Sequence, residues 1–252
     1  IIAKKTMANS TGICAMSRGF VDWSLLFSKR VKSNFDFIAP LTSPIEVLTN
    51  LERTEATLFW SKKNVIEGDN CNRIIFVGSF SSRAFNFDEV FLTAHKLRNI
   101  NCEFIICGYG ELDASLRERA NNCKNVKIIE WIDRPKIFIL SQLSFAYIAP
   151  YINSSDFVIS IPNKVIDALK LGLPLLSPLT GEVQGLIEKN RVGLSYSKRN
   201  SLKDCIMSLI NDNKLQKEMA INAKGLYNRD FAFNKVYGGL SSHLEGMVRK
   251  NE

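Results

Sequence analysis

The segment around Pro162 holds residues whose types and spacing fit the binding of a charged ligand. Pro162 cannot continue a helix and restricts the residue before it, so it predicts that a helix begins here. The backbone N–H groups near Asn163 and Lys164 then face outward and can bind an anion, supported by the helix dipole. Lys164 adds a full positive charge. Asp167 follows one turn later on the same face, where it can accept hydrogen bonds from ribose hydroxyls.

The same spacing also fits a purely structural role. A lysine and an aspartate three residues apart on a helix commonly form an ion pair on the protein surface. Taken alone, Lys164 and Asp167 therefore predict either an anion and ribose site or a solvated ion pair. The two residues by themselves leave both interpretations open.

Glycines follow two of the apolar runs. Gly78 ends one run, and Gly108 and Gly110 end another, with Tyr109 between them. Open α/β sheets bind ligands at the carboxyl ends of their strands, and glycine permits close approach of the backbone. Tight turns into the following helices explain the glycines equally well. After Gly78, serine hydroxyls and the cation of Arg83 occur where a phosphate would lie.

These residues must be positioned by the apolar runs that precede them. From residue 73 onward, short apolar runs alternate with amphipathic stretches, which predicts an α/β fold with a doubly wound, Rossmann-like parallel sheet. The predicted strands cover residues 74–77, 103–107, 126–131, 144–149, 174–177 and 193–196. The predicted helices cover residues 87–97, 111–120, 165–171, 182–189, 201–211 and 214–227, with a short helix at Pro135.

The chain divides into four parts. Residues 1–45 hold one βαβ unit, which cannot cover both faces of its own sheet and is interpreted as the end of a larger sheet. Residues 46–72 show weak periodicity and mixed charge, so we interpret them as a connector. Residues 73–227 form the main domain. Residues 228–252 form a tail that looks helical but is interrupted by Gly238 and Gly239.

The composition excludes several classes of protein. The 252 residues are 46% hydrophobic and 23% charged, which is typical of globular proteins rather than of disordered ones. A formal charge of +8 favours anionic partners such as nucleotides or phospholipid headgroups. No P-loop pattern occurs, which argues against kinases and GTPases. Two histidines and six cysteines without a C-x-x-C pair predict neither a metal site nor disulfides.

Seven short stretches follow one another between residues 73 and 227: VGS, IICGYGEL, WIDRP, APY, IPNKVIDALKLGLP, GEVQGLIE and VGLSY. Each is weakly specific, but their combination and order resemble the C-terminal, nucleotide-sugar-binding domain of GT-B glycosyltransferases. The most similar group is the retaining family 4, glycosyl transferases group 1. The stretch ICAMSRGFVDW resembles the end of the N-terminal, acceptor-side domain of the same family. The expected fold is thus a complete C-terminal domain and part of an N-terminal one.

The resemblance implies a set of donor-binding residues. Trp131, Ile132 and Arg134 would border the base, and Asn163 and Lys164 would lie near the diphosphate. Asp167 takes the position of the second Glu of the family's E-x7-E motif, which binds ribose. The full implied set is Gly78, Ser79, Gly108, Tyr109, Gly110, Trp131, Ile132, Arg134, Asn163, Lys164 and Asp167.

The chain departs from the family pattern at two places. The first Glu of the E-x7-E motif would fall at Ile159, whose side chain cannot hydrogen-bond a sugar hydroxyl. The family's Arg and its Lys-Gly pair after the first strand are replaced by residues 79–86, where Arg83 is the substitute cation. Lys164 and Arg83 are therefore the expected catalytic residues, which would stabilise the negative charge that grows on the departing diphosphate.

The implied activity is transfer of a sugar from a nucleoside diphosphate to an acceptor hydroxyl, with retention and without a metal or cofactor. We expect a role in polysaccharide or glycolipid biosynthesis with a sugar or lipid-linked acceptor, and no nucleic acid as partner. The expected location is cytoplasmic, with peripheral contact at the inner face of the membrane.

Two other functions stay open at this point. Ile159 and the missing Arg and Lys-Gly pair favour a GT-B relative that has lost catalysis and serves as a partner subunit. A sugar-nucleotide 2-epimerase shares the fold. Because most of the N-terminal domain is absent from residues 1–252, we expect this chain alone to be unable to transfer sugar.

Overall fold

The computed structural model describes residues 1–45 and 47–249. A small sheet lies at the N-terminal end. Its elements are α1 (Ile2–Asn9), β1 (Cys14–Ala15), α2 (Arg18–Ser28) and β2 (Phe37–Ile38). Strands β1 and β2 pair in parallel, with Cys14 opposite Phe37 and Ala15 opposite Ile38. The βαβ unit expected in residues 1–45 is therefore present, and the additional helix α1 precedes it.

The other described residues form a larger unit, which is built around a sheet with six strands among those residues. Its elements, in chain order, are α3 (Asn50–Lys62), β3 (Asn72–Ser79), α4 (Asp88–Lys96), β4 (Cys102–Tyr109), α5 (Asp113–Asn121), β5 (Val126–Ile129), α6 (Arg134–Gln142), β6 (Ala146–Ile148), α7 (Ser155–Val158), α8 (Asn163–Leu171), β7 (Leu175–Ser177), α9 (Glu182–Asn190), β8 (Gly193–Ser195), α10 (Leu202–Asn211), α11 (Asn213–Leu226), a π-helical turn (Tyr227–Phe231) and α12 (Phe233–Arg249). All strands are parallel, in the order β5-β4-β3-β6-β7-β8. The predicted α/β class and parallel sheet are confirmed.

The direction of strand addition reverses between β3 and β6. The chain adds β4 and β5 on one side of β3, then crosses to add β6, β7 and β8 on the other. The ladder between β3 and β6 pairs Ile74 with Ala146 and Ile75 with Tyr147, and then ends. The ladder between β3 and β4 continues to Ser79. Strands β3 and β6 therefore separate toward their carboxyl ends, where doubly wound sheets form their binding crevice.

Helices bury both faces of the large sheet. Ile74, Ile75 and Phe76 of β3 and Phe104 and Ile105 of β4 are all 0% exposed. Strands that are buried on both faces are apolar at successive positions rather than at alternate ones. This burial explains the continuous apolar runs from which the strands were predicted.

The connector contains a helix, α3, that sequence analysis does not assign. A capping box begins it: Thr49 Oγ1 accepts from the Glu52 N–H at 3.2 Å, and the Glu52 carboxylate accepts from the Thr49 N–H at 2.8 Å. Ala56 and Trp60 are its buried residues. The Trp60 indole N–H donates to the carbonyl of Lys136 in α6 at 2.8 Å. Because α3 buries few residues, apolar residues recur only weakly at helical spacing in this part of the sequence.

The prediction of a break at Gly238 and Gly239 is wrong, because α12 continues through both. Glycine costs about 1 kcal/mol in a helix interior relative to alanine. Contacts with the N-terminal unit offset this cost. The His243 ring stacks on Phe37 with centroids 4.6 Å apart, and its Nε2 lies 3.0 Å from the carbonyl oxygen of Phe35.

The N-terminus of α2 contacts two loops of the large unit. The Ser17 hydroxyl accepts from the Phe20 N–H at 3.2 Å and donates to the carbonyl of Ile159 at 2.6 Å. The Glu182 carboxylate, at the start of α9, accepts from the Gly19 N–H at 3.0 Å. A carboxylate at a helix N-terminus is favourable because it complements the helix dipole.

Asp36 holds the chain around the small sheet. Its carboxylate accepts hydrogen bonds from Ile13 N at 2.9 Å, Ser33 N at 2.7 Å and the Arg30 guanidinium at 2.8 Å. Burial alone would raise the pKa of this carboxyl, but the hydrogen bonds outweigh burial and lower the pKa below its ordinary value. The resulting stability is present above the unfolded-state pKa of about 3.9 and is lost as pH falls through the folded-state pKa.

We expect Asp36→Asn to destabilise the small unit at neutral pH by about 1.5 to 3 kcal/mol, the usual contribution of hydrogen bonds to a charged group. Amide hydrogen exchange of α2, corrected for intrinsic rates, measures this local stability. Below about pH 4 the unchanged protein should lose protection, and the difference between the two proteins should shrink. Asp22→Asn, at an exposed position of α2, is the control. Equal protection of Asp36→Asn and the unchanged protein at neutral pH would contradict this role.

Candidate functional site

The crevice between β3 and β6 opens into a cavity of about 440 Å³. This volume lies in the range of roughly 300 to 1,000 Å³ that is typical of small-molecule sites. The ends of β3 and β6, the loop between β5 and α6, and one face of α8 form its walls, together with the connector. The residues predicted from sequence that line it are Gly78, Trp131, Ile132, Arg134, Lys164 and Asp167. Folding thus brings together residues from the end of one strand, one loop and two helices.

Helix α8 begins where the sequence predicts. Pro162 is the N-cap residue, and the helix ends at Gly172, which adopts the left-handed conformation with φ of 69°. The opposite face of the helix is buried in the core through Val165, Ile166, Ala168 and Leu169. This amphipathic pattern turns Lys164 and Asp167 toward the cavity.

Tyr151 lies near the start of α8. Burial raises the pKa of its phenol, while the backbone N–H of Lys164 acts in the opposite direction. The Asn163 side chain is exposed and is not among the described residues that line the cavity. The predicted contact of Asn163 with a diphosphate remains a prediction.

Lys164 and Asp167 form the ion pair that their spacing also predicts, with 2.8 Å between Nζ and Oδ2. The side chains are 21% and 33% exposed, so the pair lies in the cavity wall rather than on the open surface. The two interpretations are therefore compatible. A ligand in the cavity can contact both charges of the pair.

Gly78 makes room for the Lys164 side chain. A Cβ atom on Gly78 would lie 2.7 Å from Lys164 Cε and 3.3 Å from Lys164 Cδ. The lysine side chain therefore crosses the end of β3 directly over this glycine. Gly78 serves the site by determining where the Lys164 ammonium group can lie.

Gly108 and Gly110 contact the neighbouring chain, and neither they nor Tyr109 belong to the described cavity lining. A Cβ on Gly108 would lie 1.8 Å from the carbonyl oxygen of Gly78, and one on Gly110 would lie 2.7 Å from backbone atoms of Phe80. The Tyr109 side chain is 71% exposed. Packing thus explains both glycines, and their contact with a donor remains a prediction.

The loop after β3 places the other predicted cation outside the cavity lining. Ser79 and Arg83 are exposed. The pKa of the Asp156 carboxyl is lowered mainly by a hydrogen bond from Ser154 and, to a lesser extent, by the charge of Arg83. Lys164 is among the described residues that line the cavity, and Arg83 is not. Its catalytic role is not supported by proximity and remains a prediction.

Ile159, where the family has a glutamate, packs against the N-terminus of α2. A Cβ on Gly19 would lie 2.5 Å from the carbonyl oxygen of Ile159, which also accepts the Ser17 hydroxyl. Ile159 is not among the described residues that line the 440 Å³ cavity. At this position the chain makes a contact between its two units.

The cavity contains residues that sequence analysis missed. Lys170 Nζ donates to Ser43 Oγ at 2.6 Å, and Lys224 Nζ donates to the carbonyl of Lys170 at 2.7 Å. Burial, and then the charge of Lys170, lowers the pKa of Lys224. Lys170 lies three residues after Asp167, and this spacing could have predicted that it lies on the same face of the helix. The other missed lining residues are Ser43, Pro44, Ile45, Leu48, Val77, Asp133, Ile137, Phe138, Ser141, Tyr147 and Leu171.

The charge of the cavity favours an anionic ligand. The charged residues among its described lining are Lys164, Lys170, Lys224, Arg134, Asp133 and Asp167. In residues 1–45 and 47–249, His, Cys, Asp and Glu side chains form no group of three that could hold a metal ion. Within the same ranges, no helix combines the length and the apolar character needed to cross a membrane.

The family model for glycosyl transferases group 1 matches residues 71–212, more than half of the chain. The chain therefore belongs to this family of glycosyltransferases, as the order of its motifs indicates. Comparison with curated protein sequences gives no match.

Solved structures show the same fold. WaaG, a glycosyltransferase involved in lipopolysaccharide biosynthesis, is 15% identical with a TM-score of 0.67 over 90% of this chain and 60% of its own. Anabaena Alr3699/HepE, in complex with UDP and glucose, is 12% identical with a TM-score of 0.73 over 97% and 66%. A glycosyltransferase from Rickettsia africae ESF-5 is 16% identical with a TM-score of 0.72 over 96% and 66%. The chain has a GT-B type fold and spans 60% to 66% of the length of these proteins.

We expect Gly108→Ala to lower the free energy of unfolding by about 1 to 3 kcal/mol, because the new methyl group would overlap the Gly78 carbonyl. Urea unfolding measures the change. Gly185→Ala in α9, where no described atom lies within 4 Å of the new methyl group, is the matched control. It should stabilise the protein by up to about 1 kcal/mol. If Gly108→Ala is as stable as the unchanged protein, the packing role is wrong.

Proposed function

We propose that the 440 Å³ cavity binds the nucleoside diphosphate of a sugar donor, and that the sugar is transferred to an acceptor hydroxyl. One observation carries the proposal: an ammonium group and a carboxylate, Lys164 and Asp167, lie side by side in the crevice at the carboxyl end of β3. Membership of glycosyl transferases group 1 supports sugar transfer. The UDP and glucose bound to Alr3699/HepE, which shares the fold, support a nucleotide-sugar donor.

The cavity suggests an order for the parts of the donor. The base lies beside Trp131 and Ile132, where apolar and aromatic side chains can cover it. The ribose hydroxyls donate to the Asp167 carboxylate, and Lys164 binds the diphosphate. When the bond from the sugar to the diphosphate breaks, negative charge grows on the phosphate oxygen, and the Lys164 ammonium stabilises it.

We also propose a stereochemical outcome for the transfer and a class of acceptor. The resemblance to family 4 supports transfer with retention, and in this proposal the Lys164 charge supplies phosphate stabilisation without requiring a metal. WaaG, which shares the fold, is involved in lipopolysaccharide biosynthesis, and this supports a sugar or lipid-linked acceptor in polysaccharide or glycolipid synthesis. The formal charge of +8 is compatible with peripheral contact at an anionic membrane.

A second candidate is a GT-B partner subunit without catalysis. The observation that favours it is Ile159, which replaces a sugar-binding glutamate and packs on α2 instead. Such a subunit has no need to bind a nucleotide sugar. Direct binding measurements therefore separate the two functions.

We expect calorimetric titration of residues 1–252 to show one site for one of UDP, GDP or ADP, or for a corresponding nucleotide sugar. The expected affinity is in the range of about 1 μM to 1 mM that is usual for enzyme substrates. EDTA should leave the heat unchanged, because lysine rather than a metal meets the phosphate charge. Absence of heat with every nucleotide would contradict donor binding and favour the partner subunit. Loss of heat in EDTA would contradict only the metal-independent mechanism.

Substitutions at Asp167 and Lys164 should affect the two halves of the nucleotide differently. Asp167→Ala removes hydrogen bonds worth about 1.5 to 3 kcal/mol, so the affinities for nucleoside and for nucleoside diphosphate should both fall roughly ten- to a hundredfold. Lys164→Ala should weaken the diphosphate far more than the nucleoside. Asp113→Ala, which breaks the Asp113–Arg117 ion pair on α5, is the control. Unchanged affinity in Asp167→Ala, or equal losses in Lys164→Ala, would contradict the proposed order.

A further inference from the structure

Tyr147 lies where β6 turns away from β3. Its side chain is 0% exposed, yet it borders the cavity. Its pairing with Ile75 is the last of the β3–β6 ladder. Val77 follows Ile75 by two residues in β3. The Tyr147 hydroxyl accepts from the Val77 N–H at 3.3 Å and donates to the Val77 carbonyl at 3.1 Å. A single phenol thus satisfies both backbone groups of one residue.

The direction of the Val77 groups follows from the alternation of the strand. The carbonyl of Arg73 accepts from the Phe145 N–H at 2.7 Å, so Arg73 faces the side of β6. In a parallel ladder every second residue points its N–H and C=O to the same neighbour, so Val77 also faces that side. Strand β6 no longer reaches Val77. The Tyr147 hydroxyl therefore replaces the backbone partners that the separation of the strands removes.

The phenol stays neutral and so retains its proton for the Val77 carbonyl. Complete burial, and then the charge of Asp167, raises the pKa of Tyr147 well above its ordinary value. Buried backbone N–H and C=O groups without partners are costly, so loss of the hydroxyl would favour a shift of Val77, although β4 still pairs with the other side of β3.

The end of β3 in turn determines where Lys164 lies. Gly78 follows Val77 directly, and the Lys164 side chain crosses Gly78 so closely that a Cβ there would lie 2.7 Å from Lys164 Cε. A shift of Val77 carries Gly78 with it and changes the space open to the lysine. Tyr147 lines the same cavity as Asp167, which accepts from Lys164 Nζ at 2.8 Å.

We propose that Tyr147 is a positioning residue for the donor: its hydroxyl holds Val77 and Gly78 so that the Lys164 ammonium group meets the diphosphate. This inference rests on the proposed function. Part of the preference of the cavity for a diphosphate over a nucleoside then depends on the Tyr147 phenol. The phenol acts indirectly, because it determines where the Lys164 side chain lies.

The test compares Tyr147→Phe with the unchanged protein. The unchanged protein is first titrated with UDP, GDP and ADP, and the tightest of these is then compared with its own nucleoside. In Tyr147→Phe the affinity for the diphosphate should fall roughly tenfold more than that for the nucleoside, since small misplacements of a binding group cost this much. Equal changes in both affinities, including no change, would overturn the proposal.

Ser177→Ala is the matched control for simple loss of buried hydrogen bonds. The Ser177 hydroxyl, 0% exposed in β7, donates to the Ala149 carbonyl at 3.1 Å and accepts from the Leu179 N–H at 3.3 Å. It thus bonds to backbone in the same way as Tyr147 but is not in the described cavity lining. The preference for the diphosphate should stay unchanged in Ser177→Ala. A loss equal to that in Tyr147→Phe would show a general effect of stability and overturn the proposal.

Gly78→Ala keeps the test decisive if Tyr147→Phe does not fold. Its methyl group displaces the flexible end of Lys164 while Tyr147 remains, so this variant should also lose the preference for the diphosphate. A retained preference in Gly78→Ala would overturn the proposal.

Amide exchange of Val77 separates this inference from the proposed function. Exchange at this amide should accelerate in Tyr147→Phe whether or not any nucleotide binds, and unchanged exchange would overturn the positioning role. If the unchanged protein binds no nucleotide, the donor function fails and the role in donor binding fails with it. The exchange result then still decides whether the phenol holds β3.

Discussion

The early end of the hydrogen-bonded ladder between β3 and β6 is the constraint on which the site depends. After Ile75 and Tyr147 the two strands separate, and the space between them becomes the cavity. Separation leaves backbone groups on β3 without strand partners, and a tyrosine hydroxyl satisfies them at Val77. The same opening lets the Lys164 side chain reach across Gly78. The separation of the two strands thus creates the cavity, makes the Tyr147 hydroxyl necessary and determines the position of Lys164.

The Lys164–Asp167 pair shows how a structural interaction and a binding site can share the same atoms. A partly exposed ion pair contributes at most about 1 kcal/mol to stability, so a ligand can separate its members at small cost. In the proposed donor complex each member gains a partner of matching chemistry, a phosphate for the ammonium and ribose hydroxyls for the carboxylate. Neither charge is left without a partner in either state.

The small unit contacts the large one at Ile159 and at Glu182. The carbonyl of Ile159 binds the Ser17 hydroxyl, and Glu182 binds the N-terminus of α2 at Gly19. These contacts lie outside the described lining of the cavity, so the nucleotide part of the proposed donor does not depend on them. The chain spans 60% to 66% of the length of the related structures.

Local signals in the sequence determined the parallel sheet, the start of α8 behind Pro162 and the shared face of Lys164 and Asp167, because each depends on backbone geometry or on burial repeated along the chain. The family motifs added Trp131, Ile132 and Arg134. Only the tertiary structure decided that Gly108 packs on Gly78, that α12 continues through its glycines, and that Ser43, Leu48 and Tyr147 border the cavity. Those outcomes depend on contacts between segments far apart in sequence, which leave no period or local pattern to detect.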